Sequence, residues 1–212
     1  MHFDLAQIPG TDAYKLLVST VVPRPIALAT TVDSQGRINA APFSFFNAVS
    51  SSPPVVVLGI SPGAASEDGY KDTERNIRDS GEFVVNLVDE ALAERMNICA
   101  VDFPIGTGEL DKADLTAASS VGVRPPRIVQ SPVSFECRRI TGVSLGPRSM
   151  LEIGRVIHIH VRDDLVDPAK TYVHTEKMRL IGRMHGRGWY TRTTDLFLMD
   201  RLDLETWNAE KR

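Results

Sequence analysis

Between Arg24 and Ser61 the chain passes through three β-prone segments in close succession, and this run limits the possible folds more than any other feature. The first, RPIALATTVD, is apolar or β-branched from Ile26 to Val32, and DSQGR then supplies a hairpin turn in which Gly36 is free to take a positive φ. The second, INAAPFSFFNAVS, contains Pro42, which confines that part of the strand to a sheet edge or a bulge. The third, PPVVVLGIS, is a continuous apolar run expected to be buried on both faces. The middle stretch is not composed like a core strand. RINAAPFSFFNAVSSSPP is rich in Ala, Ser and Asn, with three prolines and three phenylalanines in four positions. Alternation puts Phe43 and Phe45 on one face, at least one of them in the core, and Phe46 on the other. Small residues here would let a flat ligand lie close to the backbone, whose free N–H and C=O groups can read its rim.

The remainder supplies helices and further strands. KDTERNIRDSGE reads as a helix, with Asp72 or Thr73 as its cap and Gly81 in the C′ position. EFVVNLV returns to strand, and EALAERMNICAV is a second helix with Leu92, Met96 and Cys99 near one face. Residues 102–132 are irregular, with RPPR marking a loop. SPVSFECRRITGV and MLEIGRVIHIHVRDDLV alternate like strands, and DLFLMDRL reads as one more. Mainly antiparallel β with interposed helices favours a barrel decorated by helices over a doubly wound sheet. No stretch looks like an interdomain linker, so residues 1–212 are expected to form a single domain.

Composition narrows the function by exclusion. In 212 residues, 24 basic and 27 acidic side chains are spread without a basic stripe, which argues against nucleic acid as a partner. Cys99 and Cys137 give no disulfide framework and no ligand cluster, so a reducing cytoplasm is the expected home. The N-terminus lacks the pattern of a signal peptide, and no apolar run approaches the roughly 20 residues of a membrane helix.

The best local chemical signal is KDTERN. A helix N-terminus offers unpaired N–H groups and a positive dipole end to an anion. Lys71 stands just before it, Thr73 can offer a hydroxyl, and Asn76 falls on the same face as Thr73. A capped surface helix would carry the same residues. His158 and His160 share a strand face, but no nearby Cys or carboxylate completes a ligand set, and no metal is expected. His185 in GRMHGRGWY, a Gly-rich, basic and aromatic loop, is the better candidate for touching a ligand. Hydrolase and metalloprotease motifs are absent from the sequence.

Three segments in this order, RPIALATTVDSQGRINAAPFSFFNAVSSSPPVVVLGIS, KDTERNIRDSGEFVVNLV and IGRMHGRGWY, resemble the flavin reductase-like family of FMN-binding split barrels. The resemblance implies a split β-barrel homodimer with FMN at the subunit interface. Carried over, Lys71, Thr73 and Asn76 would hold the FMN phosphate, with Asp72 among the binding residues. Thr30, Thr31 and the backbone of Ser44, Phe45, Phe46 and Asn47 would line the ribityl chain and isoalloxazine. His185 and Tyr190 would close the site, from the other subunit. The implied activity is that of an oxidoreductase reduced by NADH or NADPH, passing electrons to flavin, oxygen or a small acceptor, with an oxygenase or electron-transfer protein as partner. Many such reductases carry a Gly-Asp-His element before the strand corresponding to EIGRVIHIHV; here GPRSMLEIGRV has Arg148 and Ser149 instead. Arg148 and His185 are the catalytic candidates. The missing histidine leaves open an FMN-binding electron carrier without a nicotinamide site, and the phosphate elements alone also suit another planar ligand such as pyridoxal phosphate.

Overall fold

The computed structural model describes residues 1–63, 69–104 and 107–210, the side chains of Glu205, Ala209 and Glu210 excepted. Helix α1 (Gly10–Thr20) leads into β1 (Arg24–Pro25), β2 (Ala27–Val32), β3 (Ile38–Phe43), β4 (Phe46–Ser51) and β5 (Pro54–Ile60). Next come α2 (Asp72–Ser80), β6 (Glu82–Leu87), α3 (Ala93–Ile98) and α4 (Glu109–Lys112). Two-residue strands β7 (Ala117–Ala118) and β8 (Arg127–Ile128) precede the long hairpin of β9 (Val133–Gly146) and β10 (Ser149–Val161). After the short pair β11 (Val166–Asp167) and β12 (Tyr172–Val173) come α5 (Thr175–Met178), β13 (Ile181–Arg183), β14 (Tyr190–Arg192) and α6 (Leu204–Glu210).

Seven strands form one antiparallel sheet in the order β3-β2-β6-β9-β10-β5-β4. Strands β3 and β4 sit at opposite edges of that sheet, yet only Ser44 and Phe45 separate them in sequence. The three residue steps from Phe43 to Phe46 reach at most about 11 Å, so the sheet has to curl until its edges come close. The Gly59 N–H donates to the Phe45 carbonyl at 2.7 Å, extending the β4–β5 ladder into the bend, while β3 and β4 do not pair with each other. The result is a split β-barrel. Inside it lie Ala27, Ala29, Phe43, Phe46, Leu58, Phe83, Val85, Cys137 and Val156, with Ile77 of α2 entering the same cluster. The outer face of β2 and β3 is covered by a second cluster, in which Leu28 and Ala40 meet Leu92, Met96 and Cys99 from around α3 and Leu110 from α4.

Several expectations hold. Pro42 lies on an edge strand, β5 is buried on one face and half-buried on the other, Gly81 takes φ 71° after α2, and Leu92, Met96 and Cys99 are buried together. Others do not. The bend at Ser44–Phe45 resets the alternation, so Phe43 and Phe46 share the barrel interior and Phe45 is exposed. DLFLMDRL is not a strand, for no neighbouring chain segment pairs with it. Helix α2 is capped by neither Asp72 nor Thr73: Lys71 is its N-cap residue and makes no side-chain cap. Residues 102–132 contain α4 and the β7–β8 pair within otherwise irregular chain, and 105–106 lie outside the described residues. No described helix is long and apolar enough to cross a membrane.

The barrel interior has no spare volume at Gly154 on β10, where a methyl group would overlap the Phe83 ring. Gly154→Ala should therefore destabilise the protein by about 1–3 kcal/mol despite its better strand propensity. Adding Phe83→Leu should recover part of that loss in chemical denaturation. A neutral or stabilising Gly154→Ala would contradict this packing.

Candidate functional site

The site begins where α2 plugs one end of the barrel. The Thr31 hydroxyl accepts from the side-chain amides of Asn76 (3.0 Å) and Asn39 (3.3 Å). Asn39 also donates to the Thr73 hydroxyl at 2.9 Å. Thr31, Thr73 and Asn76 are buried, so these bonds fix the first turn of α2 against the β2–β3 hairpin. Because Thr73 Oγ1 accepts from Asn39, its own proton remains available to donate elsewhere. Lys71 makes no side-chain cap, and among the described residues no side chain is bonded to the first-turn N–H groups of α2. The Asp72 carboxylate is paired with the Arg75 guanidinium, and both residues line the cavity at the helix start.

Of these groups Asn39, Asp72, Thr73 and Arg75 line a cavity of about 330 Å³, together with Ala40, Ala41, Pro42, Gly63, Tyr70 and Lys71 and with Asp102 and Glu109. The Lys71 ammonium stands 5.8 Å from the centre of the Phe43 ring, linking the helix start to the far end of β3. Asn39, Ala41 and Phe43 alternate along one face of β3, so the chain continues from the amide network over small residues to the Ser44–Phe45 bend. There Arg24, itself buried, donates to the carbonyls of Val18 (2.6 Å), Val21 (2.8 Å) and Met184 (3.0 Å) and to Ser44 Oγ (3.4 Å). One guanidinium thus joins α1, the bend and the β13–β14 hairpin. His185 lies exposed on the turn of that hairpin, stacked on Trp189 with ring centres 6.4 Å apart, and Arg183 covers the Tyr190 ring at 4.8 Å.

The candidates read from the sequence divide accordingly. Thr31, Lys71, Asp72, Thr73 and Asn76 come together at the end of α2. Ser44, Phe45, His185 and Tyr190 are gathered around Arg24 and its hairpin. Asn47 is exposed on the edge strand β4, and Phe46 faces the core. Thr30 stands apart: adjacent strand residues face opposite ways, and its buried hydroxyl donates to the Pro126 carbonyl. Arg148 occupies the tip of the β9–β10 hairpin at φ 63°, and its side chain packs on Gly69, two residues before Lys71. His160 is bonded to the buried Glu136 at 2.6 Å, a carboxylate that also accepts from the Val121 and Gly122 N–H groups. Among the described residues no group of three or more His, Cys, Asp and Glu could hold a metal.

Asn39, Arg24 and Glu109 were not legible as site residues. Glu109 lines both this cavity and a larger one of about 1140 Å³ beyond the helix start, and accepts from the Ala40 N–H at 3.2 Å. Burial, with a smaller contribution from Asp72, raises its carboxyl above the ordinary value of 4.5, although hydrogen bonds oppose the shift. Burial and the neighbouring Glu109 push the Cys99 thiol, which also lines the cavity, up to about 12, so it is no nucleophile at neutral pH.

Fold and site together place the protein in a known class. Residues 18–180 match the model of the flavin reductase like domain, and the chain belongs to that family of oxidoreductases. It is 42% identical over 214 residues to an uncharacterized protein of Deinococcus radiodurans, covering 99% of this chain and 93% of that one. Among solved structures, it superimposes with a TM-score of 0.87 on Pseudomonas fluorescens 2-nitrobenzoate 2-nitroreductase, at 31% identity and with 96% of this chain and 98% of that chain covered. Nitrilotriacetate monooxygenase component B from Bacillus cereus matches with the same TM-score and identity over 94% and 98%.

The raised carboxyl of Glu109 has a measurable consequence. The folded state holds this proton more tightly than the unfolded chain, so ionisation costs stability once pH rises above 4.5 and costs nothing well below it. Glu109→Gln keeps an acceptor for Ala40 and should raise the melting temperature at pH 7, with the gain vanishing near pH 4. A gain that persists unchanged at acid pH would refute the assignment.

Proposed function

We propose that the chain is an FMN-dependent oxidoreductase that takes electrons from NADH or NADPH and passes them to a small acceptor. The observation that carries this reading is the uncapped start of α2, flanked by Lys71, at the edge of a cavity floored by Ala40, Ala41 and Pro42. A phosphate fits there on chemical grounds: free N–H groups, an ammonium, and a Thr73 proton left available by Asn39 all donate. The cavity volume lies in the usual range for small-ligand sites. Bound FMN would supply the electron-transfer chemistry, and the chain supplies position and electrostatics.

In this reading Lys71, Thr73, Asn76 and the first-turn N–H groups, that of Asp72 among them, hold the phosphate. Thr31 and Asn39 orient those donors, and the Ser44–Asn47 backbone borders the ring. The Thr30 hydroxyl has no part in it, being committed to Pro126 on the opposite face. Two copies of the chain pair so that His185 and Tyr190 of one close the site of the other. Arg148, near the loop leading to Lys71, meets an anionic group of the electron donor or acceptor. The likeness to a nitroreductase and to a monooxygenase component supports two acceptors, a nitroaromatic acid or free flavin destined for an oxygenase. The region around Arg148, where no histidine stands, supports a second reading as an electron carrier without a nicotinamide site.

The test is the visible spectrum of the purified protein with FMN, before and after anaerobic NADH and NADPH. Bleaching supports the oxidoreductase; a flavin spectrum that both nucleotides leave oxidised but dithionite bleaches favours the carrier; failure to take up FMN refutes both. Lys71→Ala and Thr73→Ala should each weaken FMN binding by at least about tenfold, since a hydrogen bond to a charged group contributes roughly 1.5–3 kcal/mol.

A further inference from the structure

Two features of this chain have unmet demands, and each supplies what the other lacks. The first is the segment after β14. From Thr194 to Leu202 the main chain forms no helix, strand, turn or bend and, among the described residues, makes no backbone hydrogen bond. Leu196, Phe197, Leu198 and Met199 stand in a row with relative exposures of 64%, 83%, 87% and 79%. Four consecutive apolar side chains left this open are atypical of a free surface and mark an interaction element. The segment is also acidic, with Asp195 and Asp200 against Arg201.

The second is the outer half of the β9–β10 hairpin. Strand β9 pairs with β6 only as far as Arg138, and beyond the Arg139 N–H, which bonds the Gly81 carbonyl, no described strand lies along its outer edge to Gly146. An open edge of this length, carrying β-branched residues, is a template for another strand. It exposes Ile140 (51%), Val143 (43%) and Leu145 (62%). At its tip stands the exposed Arg148, whereas the hairpin's carboxylates, Glu136 and Glu152, are buried and bonded to His160 and Arg139.

We propose that the segment Thr194–Leu202 is an exchange arm that crosses to a second copy of this chain and adds as a strand to the open outer edge of β9. An unpaired backbone meets an unpaired edge, an apolar row meets an apolar row, and Asp195 and Asp200 meet a hairpin whose exposed charge at the tip is Arg148. A two-fold axis lets both copies make the contact at once, so that neither arm nor edge remains open. The same hairpin ends in Arg148, packed on Gly69 two residues before Lys71, so the arm would brace the strand that reaches the mouth of the cavity. The inference rests on the pairing of two copies stated under the proposed function and adds the element that makes it.

Two full-length variants test it, Phe197→Cys and Val143→Cys, the native cysteines being buried. A short bis-maleimide, tolerant of a two-residue slip in register, should join them covalently in a mixture of the two proteins, and should join neither variant to itself. In sedimentation the unmodified protein should be a dimer, and Phe197→Asp with Leu198→Asp should raise its dissociation constant at least about tenfold. A monomer at micromolar concentration overturns both this inference and the pairing of copies. A dimer that the aspartates leave intact and that gives no cross-link in the mixture overturns the arm alone. So does a cross-link confined to one chain carrying both cysteines. Flavin binding by a monomer would leave the flavin reading standing while the arm fails.

Discussion

The amide–hydroxyl network of Thr31, Asn39, Thr73 and Asn76 is the interaction on which both barrel and site depend. Its members are buried or half-buried polar groups, each of which would cost about 1–3 kcal/mol if left unsatisfied. They are satisfied only when α2 sits at one angle across the end of the β2–β3 hairpin. Ile77 then reaches the barrel interior on the same helix, so apolar and polar requirements select a single placement. The helix start consequently faces the cavity because the far side of that helix is packed, and not because anything in the cavity holds it there.

Charge near the cavity is arranged on the same principle. Asp72 would oppose an anion at the helix start, and its pairing with Arg75 removes much of that opposition. At the other end, Arg24 spends its guanidinium on three carbonyls and a hydroxyl, which makes a buried cation tolerable and leaves its charge facing Phe45 at 6.0 Å. Arg139 and Glu152 satisfy one another inside the hairpin that carries Arg148. Such pairs contribute little net stability, but breaking one leaves an uncompensated buried charge. They therefore act as positional restraints on the elements around the cavity.

What the sequence made legible was local. The β2–β3 hairpin, β5, the run of α2 and the glycine that ends it follow from alternation, turn chemistry and capping, all contained within ten or so residues. The Lys71, Thr73 and Asn76 grouping was legible for the same reason, since one helical turn brings them together. Asn39 and Glu109 were not, because their partners, Thr73 and Ala40, lie 34 and 69 residues away. Phe45 was assigned to the wrong face because alternation assumes an unbroken strand, whereas the chain turns at Ser44–Phe45 to pass from one sheet edge to the other. The capping rule failed at α2 because the Asp72 carboxylate is taken by Arg75 and the Thr73 hydroxyl by Asn39. DLFLMDRL has the apolar content of a strand, but a strand exists only where a partner edge is offered, and no sequence pattern states where that edge is.

The split in the barrel is what makes room for a ligand. A fully closed barrel would pair β3 with β4 and consume their outward N–H and C=O groups. Two residues at Ser44–Phe45 bring the edges near without pairing them, and Pro42 removes one donor that would otherwise extend the ladder. Ala40 and Ala41 then keep the β3 edge low where a bulkier residue would fill the cavity they line. The composition that made RINAAPFSFFNAVSSSPP a poor core strand is thus the composition of an edge left open on purpose. The stability forgone there is recovered elsewhere, by the covered outer face of β2 and β3 and by the helix that plugs the barrel end.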